Sequence, residues 1–305
     1  MTGKKPPRTH LRLVRNSAAE EEARSAAVST PGMDSPAGES DHFQPSYTSG
    51  QFRHMFDLTG RVALVAGGGG GLGGVIAMAL ADFGARVAIA DLDLDAAKKA
   101  AQLCARPDQD GALAIGMDVT KPGIVKASIA AIEEVTGKID ILVNCVGINI
   151  RKPALAYEPA EWRKILDVNL SGIFYVTQAV GRGMVERGYG RVLNIGSVSS
   201  LLGHPNHAPY AASKGGVALL TKVLATEWAR HGVTVNALGP AYTETALTAD
   251  LLADPAERAR LIAGIPAGRL GQPEDLTGAA VFLCSESSRF VTGQTLYIDG
   301  GRTAD

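Results

Sequence analysis

Paired cysteine spacing is missing from this chain. Cys104, Cys145 and Cys284 are its three cysteines, and the later two lie inside apolar runs, where the residue behaves as a small hydrophobe. No disulfide framework follows from that pattern, and a reducing, cytoplasmic setting fits it best. An excess of one charge is missing too. With 20% charged residues and a formal net charge of −1, the sequence carries no electrostatic footprint for nucleic acid or for an anionic membrane. One window, Val62 to Ala81, is free of charge, but five consecutive glycines, Gly67 to Gly71, lie inside it. They make strand, loop and helix the reading there, not a membrane-spanning helix. The partner left to look for is a small molecule in a pocket. Hydrophobic content of 46% over 305 residues supplies a large core, and that length suits one open α/β unit.

Residues 1–51 are rich in Ser, Pro, Gly, Lys, Arg and Glu with little apolar periodicity, so they are expected to be a disordered tail. Lys4, Lys5, Arg8, Arg12 and Arg15 raise a transit peptide, while Glu20 to Glu22 and the lack of an apolar core count against a signal peptide. A start of translation at Met33 or Met55 is a further reading. Residues 52–305 are expected to form one domain. Strand-like runs fall at Val62–Ala66, Val87–Ala90, Ala112–Met117, Ile139–Cys145, Arg191–Ile195, Thr234–Leu238 and Thr295–Ile298, with helical runs between them. Such alternation predicts an α/β fold: a doubly wound parallel sheet with helices on both faces.

Directly after the first strand comes Gly67-Gly-Gly-Gly-Gly71-Leu72-Gly73, then a helical run from Gly74 to Phe83. Glycines there let the backbone approach a pyrophosphate, and a helix N-terminus offers free N–H groups. Asp91 closes the next strand, where a carboxylate accepts from the adenosine ribose hydroxyls and repels a 2′-phosphate; NAD is therefore favoured over NADP. Capping of the helix near Asp95 is the rival use of Asp91. Asp118 and Val119, after the third strand, suit the adenine edge, with helix capping ahead of Pro122 as the rival for Asp118.

Tyr210 and Lys214 stand four apart on a helical run, which puts phenol and ammonium on one face. A cation held close favours the phenolate, so the pair can exchange protons nearer neutrality than a free phenol. Ser197, thirteen residues earlier, follows a strand and can hold a substrate oxygen beside that phenol.

Together with Asn144-Cys-Val-Gly147 and Asn169 in Asp-Val-Asn-Leu-Ser-Gly, these motifs make residues 58–301 resemble the short-chain dehydrogenase/reductase family. The resemblance implies a Rossmann-type seven-stranded sheet and hydride transfer between a nicotinamide cofactor and a secondary alcohol or ketone. It implies Tyr210 as general acid/base, Lys214 as the residue that lowers its pKa and holds the nicotinamide ribose, and Ser197 as the orienter of the substrate oxygen. Asn169 matches the residue that supports a water-linked proton path. Gly67, Gly71, Leu72, Gly73, Asn144, Gly147, Pro240 and Thr245 match cofactor-contacting positions. Three departures stand out: Ala66 replaces a Thr whose hydroxyl would help fix the loop near Asn144, Cys145-Val146 replaces Asn-Ala, and Pro240-Ala241 replaces Pro-Gly.

The segment Gly147 to Pro153 should lie at the carboxyl edge of the sheet, and Arg151 there offers a fork suited to a carboxylate. With Ile265 to Arg269 and Gln272 to Asp275, it resembles the branch of the family that includes gluconate 5-dehydrogenase and related sugar-acid dehydrogenases. A solvated-loop role for Arg151 and Lys152 is the alternative. His204 and His207 flank the loop before Tyr210 and are candidate pocket residues; no carboxylate or thiol at ligand spacing accompanies them, so no metal is assigned. Residues 242–264 are expected to form two short helices, a mobile lid over the site. Surplus apolar positions on the long helices expected over Glu161–Arg187 and Pro209–Arg230, with Phe290 to Gly293, suggest packing against sister subunits, and the resemblance implies a homotetramer. Rival functions are a 3-oxoacyl thioester reductase and a non-catalytic nucleotide-binding regulator.

Overall fold

The computed structural model describes residues 51–105 and 111–304; the expected tail lies outside these residues, apart from Gln51. Seven aliphatic runs form one parallel sheet: β1 Val62–Ala66, β2 Arg86–Asp91, β3 Leu113–Gly116, β4 Ile141–Asn144, β5 Gly190–Ile195, β6 Val233–Pro240 and β7 Thr295–Ile298. Their order is β3-β2-β1-β4-β5-β6-β7. Strands β1, β4, β5 and β6 are buried along their whole length, which is why they read as unbroken apolar runs and not as alternating ones.

The helices are α1 Gly71–Asp82, α2 Leu94–Leu103, α3 Pro122–Thr136, α4 Pro159–Leu166, α5 Ile173–Arg187, α6 Ala208–Trp228, α7 Ala249–Leu252, α8 Pro255–Ala263 and α9 Thr277–Cys284. The two-residue period of the strands assigns them to two layers. Ala63 and Val65 point to one face and pack with Ile76 and Leu80 of α1, with α2 and with α9. Leu64 and Ala66 point to the other and pack with α3, α5 and α6 through Ile129, Val176, Val180 and Leu224. Each fully buried Leu, Ile or Val of these layers contributes about 1.5–3 kcal/mol. Among the described residues no helix is long and apolar enough to cross a membrane.

From β1 the chain winds outward to β2 and β3; from β4 it winds the other way. A crevice therefore opens beyond the carboxyl ends of β1 and β4, the place where ligands bind in open α/β sheets.

One helix expected over Glu161–Arg187 is divided. Between α4 and α5 the turn Asp167–Gly172 is π-helical. The widened turn carries Asn169, fully buried, toward the loop after β4. Gly172 is required there, because a Cβ on it would lie 2.7 Å from a Val119 methyl.

Candidate active site

The loop after β1 is held open by close backbone approach. Gly67 has φ +77° and donates to the Ala90 carbonyl at 2.7 Å. A Cβ at Gly73 would fall 2.2 Å from the Gly67 carbonyl oxygen, so a side chain at this position would break the turn from loop into α1. Asp91 braces this loop from the end of β2: its Oδ2 accepts the Gly69 N–H at 2.9 Å and its Oδ1 the Asp93 N–H at 3.1 Å. The cap of α2 is Asp93, which accepts from Asp95 and Ala96. Asp118 does not cap α3 either. Its Oδ1 accepts the Thr120 N–H and hydroxyl, at 2.9 and 2.6 Å, and the Thr120 hydroxyl holds its carboxyl below the usual range. Val119 beside it is buried against Gly172.

A cleft of about 310 Å³ runs from this loop across the sheet edge, lined by Gly71, Leu72, Gly147, Pro240 and Thr245 and floored by Ser197, Tyr210 and Lys214. Such a glycine-built cradle beside an Asp91 carboxylate fits a dinucleotide. The Asn144 side chain lies beneath the cleft. It donates to Thr177 Oγ1 at 2.8 Å and Asn194 Oδ1 at 2.9 Å, while its own Oδ1 is buried without a partner among the described residues. Ala66 stands opposite it in register, at the position where the Thr hydroxyl is absent.

Strand β5 ends one residue before Gly196, and Ser197 then caps a 3₁₀ turn, its Oγ accepting the Ser199 N–H at 3.1 Å. Tyr210 enters in the first turn of α6 and lines the same cleft and adjoining cavity as Ser197. Lys214 follows one turn later, 3% exposed, with its Nζ donating to the Ile195 carbonyl at 2.7 Å. Asn169 grips the loop after β4 at both ends of one peptide residue: Oδ1 accepts the Ile148 N–H at 2.8 Å and Nδ2 donates to the Ile148 carbonyl at 2.9 Å.

The electrostatics differ from the sequence expectation in one respect. Burial pushes the Tyr210 phenol above its ordinary value, and the groups that pull it down are the Ser197 hydroxyl and the Arg151 guanidinium. Lys214 is not among them. Its Nζ stands 5.7 Å from the Tyr210 ring centroid, committed to a carbonyl, and burial depresses its own pKa to about 8.

Arg151 faces the same site. It lies on the wall of a narrow cavity shared with Ser197, His204 and Tyr210. Its Nε donates to His207 Nε2 at 3.3 Å and its Nη1 to the Leu247 carbonyl at 3.4 Å. His207 lies within 2.7 Å of the Pro205 carbonyl through Nδ1, which places its proton there; burial keeps the ring neutral. Lys152, by contrast, is paired with Glu161 at 2.7 Å and stands outside the cleft. The single hydroxyl proton of Tyr157 goes to the Ile150 carbonyl, and its oxygen stands 3.1 Å from the Asn206 carbonyl, so the side chain bridges the Arg151 loop and the His204–His207 loop. The region 242–264 forms the two short helices expected of it, α7 and α8, on a small core of Leu261, Ile265 and Leu270.

Sequence reasoning did not single out Tyr242, Tyr157, Arg260 or Arg302. The first two hold or line the pocket from loops with no motif, and Arg260 and Arg302 reach it from α8 and the C-terminal turn.

A family model described as enoyl-(acyl carrier protein) reductase matches residues 67–303. Gluconate 5-dehydrogenase of Gluconobacter oxydans (strain 621H) is 42% identical over 249 residues, 82% of this chain and 97% of that protein. The chain belongs to the short-chain dehydrogenase/reductase family. The 5-keto-D-gluconate 5-reductase of Escherichia coli (strain K12) is 41% identical, over 81% of this chain and 97% of that one. Among solved structures, a gluconate 5-dehydrogenase from Burkholderia cenocepacia J2315 in complex with NADP and tartrate is 46% identical with a TM-score of 0.78, covering 82% of this chain and 98% of that one. As a family member, the protein is an oxidoreductase that works with a nicotinamide cofactor on a secondary alcohol or ketone.

Proposed function

We propose that this dehydrogenase interconverts a sugar acid of the gluconate type and its keto acid, with NAD as its preferred cofactor. The observation that carries the substrate reading is Arg151, a guanidinium with no carboxylate partner among the described residues, on one wall with Ser197 and Tyr210. A forked donor in that position matches an acid group on the substrate. The names of its relatives point the same way.

In this reading the nicotinamide, when bound, supplies or accepts the hydride. Ser197 and Tyr210 hold the substrate oxygen between two hydroxyls, and Tyr210 moves the proton on that oxygen. The phenol is neutral in the free protein, so it is ready to protonate a ketone. For alcohol oxidation, Ser197 and Arg151 stabilise the phenolate that must form. Lys214 holds the cofactor ribose, and Asn169 keeps Ile148 fixed behind it for the proton path through Lys214.

NAD preference is supported by Asp91, whose carboxylate braces Gly69 at the ribose position. The cations near it in sequence do not face it: Arg86 stands at the opposite end of β2, and Lys98 pairs with Asp95 at 3.1 Å. A 2′-phosphate would meet the Asp91 negative charge, and neither of these cations is placed to offset it. A homotetramer is supported by apolar side chains left in solvent on α4, α6 and the C-terminal region: Trp162, Leu219, Val223 and Phe290. Unpaired cysteines, with Cys104 and Cys284 buried, suit a cytoplasmic home.

The test compares wild type and Arg151→Ala on gluconate, 2-keto-3-deoxygluconate and neutral secondary alcohols, with each cofactor. Sugar-acid turnover that falls at least about tenfold in the variant is expected, since charge-assisted hydrogen bonds are worth about 1.5–3 kcal/mol. Activity confined to uncharged alcohols would refute the substrate reading.

A further inference from the structure

The narrow cavity beside Tyr210, about 50 Å³, is a throat. Arg151, His204, His207 and Tyr242 line both it and a larger chamber of about 420 Å³ that opens beyond them, under α7 and α8. The chamber's charge is unbalanced. Three arginines, Arg151, Arg260 and Arg302, face one carboxylate, Glu257. Glu257 is spent on Arg260, which it accepts from twice through one oxygen at 2.9 and 2.7 Å. Arg302 donates one N–H to the Gly264 carbonyl at 3.0 Å and has no carboxylate partner among the described residues. Two guanidiniums, Arg151 and Arg302, are thus left with donors to spare in one enclosure.

A second observation is independent of charge. The Nε2 of His204, on the wall common to throat and chamber, is buried with no hydrogen-bond partner among the described residues. A buried polar atom left unpaired is destabilising, and a ligand hydroxyl beside it would supply the missing hydrogen bond. Chamber walls of Leu251 and Leu261 give the intervening carbon chain an apolar bed.

We propose that this chamber is the subsite for the acid end of the substrate, with Arg302 a specificity-determining residue that shares the carboxylate with Arg151. The inference rests on the sugar-acid reading above and adds to it a length requirement. A carboxylate offers two oxygens and about four lone-pair sites, enough for both guanidiniums. Because the chamber lies past the throat, the carbon that reacts at Tyr210 is several atoms from the acid group. His204 meets a hydroxyl between the two. Long hydroxy acids are therefore accepted, and short ones, with hydroxyl and carboxylate on neighbouring carbons, are not.

The experiment is steady-state kinetics of wild type, Arg302→Gln and Arg302→Lys on gluconate, and of wild type on lactate. The expected result is a gluconate KM raised about tenfold or more in Arg302→Gln, with kcat within about threefold, KM for NAD unchanged and partial recovery in Arg302→Lys. Lactate is expected to be a far poorer substrate than gluconate. A gluconate KM within twofold of wild type in Arg302→Gln, or equal losses on gluconate and NAD, would overturn the subsite while leaving the sugar-acid reading intact. Failure of the wild type to turn over any sugar acid would overturn both.

Discussion

Replacing Lys214 by Met should remove turnover and, at neutral pH, make the protein more stable. The residue is 3% exposed, and burial depresses the pKa of its ammonium from 10.5 to about 8. At ~1.4 kcal/mol per pH unit, that depression opposes folding by roughly 3 kcal/mol below pH ~8. Methionine fills much of the same volume without the charge. Against this gain stands the lost bond to the Ile195 carbonyl, 2.7 Å long in the native site, whose removal costs about 1–2 kcal/mol. The net gain is about 1–2 kcal/mol, a rise in Tm of roughly 2–4 °C for a chain of this size. The sign with pH follows from protons bound. Between pH ~8 and ~10.5 the unfolded chain keeps its lysine proton while the folded one has lost it, so wild-type stability from this residue rises with pH across that window. The advantage of the Met variant should therefore shrink from pH 7 to pH 10. Urea unfolding followed by fluorescence of Trp162 and Trp228 at the two pH values measures it. A Met variant less stable than wild type at pH 7, or a difference that does not change with pH, would refute the reasoning.

Asp91→Asn should raise kcat/KM with NADP relative to NAD about tenfold, because one negative charge at the ribose is worth about a pH-unit equivalent of interaction energy; an unchanged ratio counts against Asp91 as the discriminator. Asn169→Ala should lower kcat by about tenfold or more and destabilise the fold by about 1–3 kcal/mol, since both polar groups of Ile148 lose their partner, and hydrogen exchange at the Ile148 amide reports the second effect. Gly73→Ala should abolish cofactor binding, as its Cβ would sit 2.2 Å from the Gly67 carbonyl; calorimetry with NAD checks this.

Much of the fold was legible because the strands of a doubly covered sheet are unbroken apolar runs. β1 and β7 fall at the predicted Val62–Ala66 and Thr295–Ile298, and the other strands differ by only a few residues at their ends. The break inside Glu161–Arg187 was not legible. A π turn keeps helical composition, and what creates it is tertiary: Asn169 reaching Ile148 and Gly172 yielding to Val119. Sequence spacing placed Tyr210 and Lys214 on one helical face, but it could not show that Lys214 gives one of its three donors to the Ile195 carbonyl or that the Arg151 guanidinium also pulls on the phenol. Arg302 was invisible for the same reason. Its role depends on which chamber the C-terminal turn closes, and no local motif encodes that.

The central claim, proton transfer by Tyr210 in a nicotinamide-dependent oxidation of a sugar acid, is tested most directly by Tyr210→Phe with gluconate and NAD. The account predicts NAD affinity within about twofold of wild type and NADH formation reduced by about 100- to 10,000-fold, the range general acid–base catalysis supplies. Turnover close to wild type in that variant would contradict it.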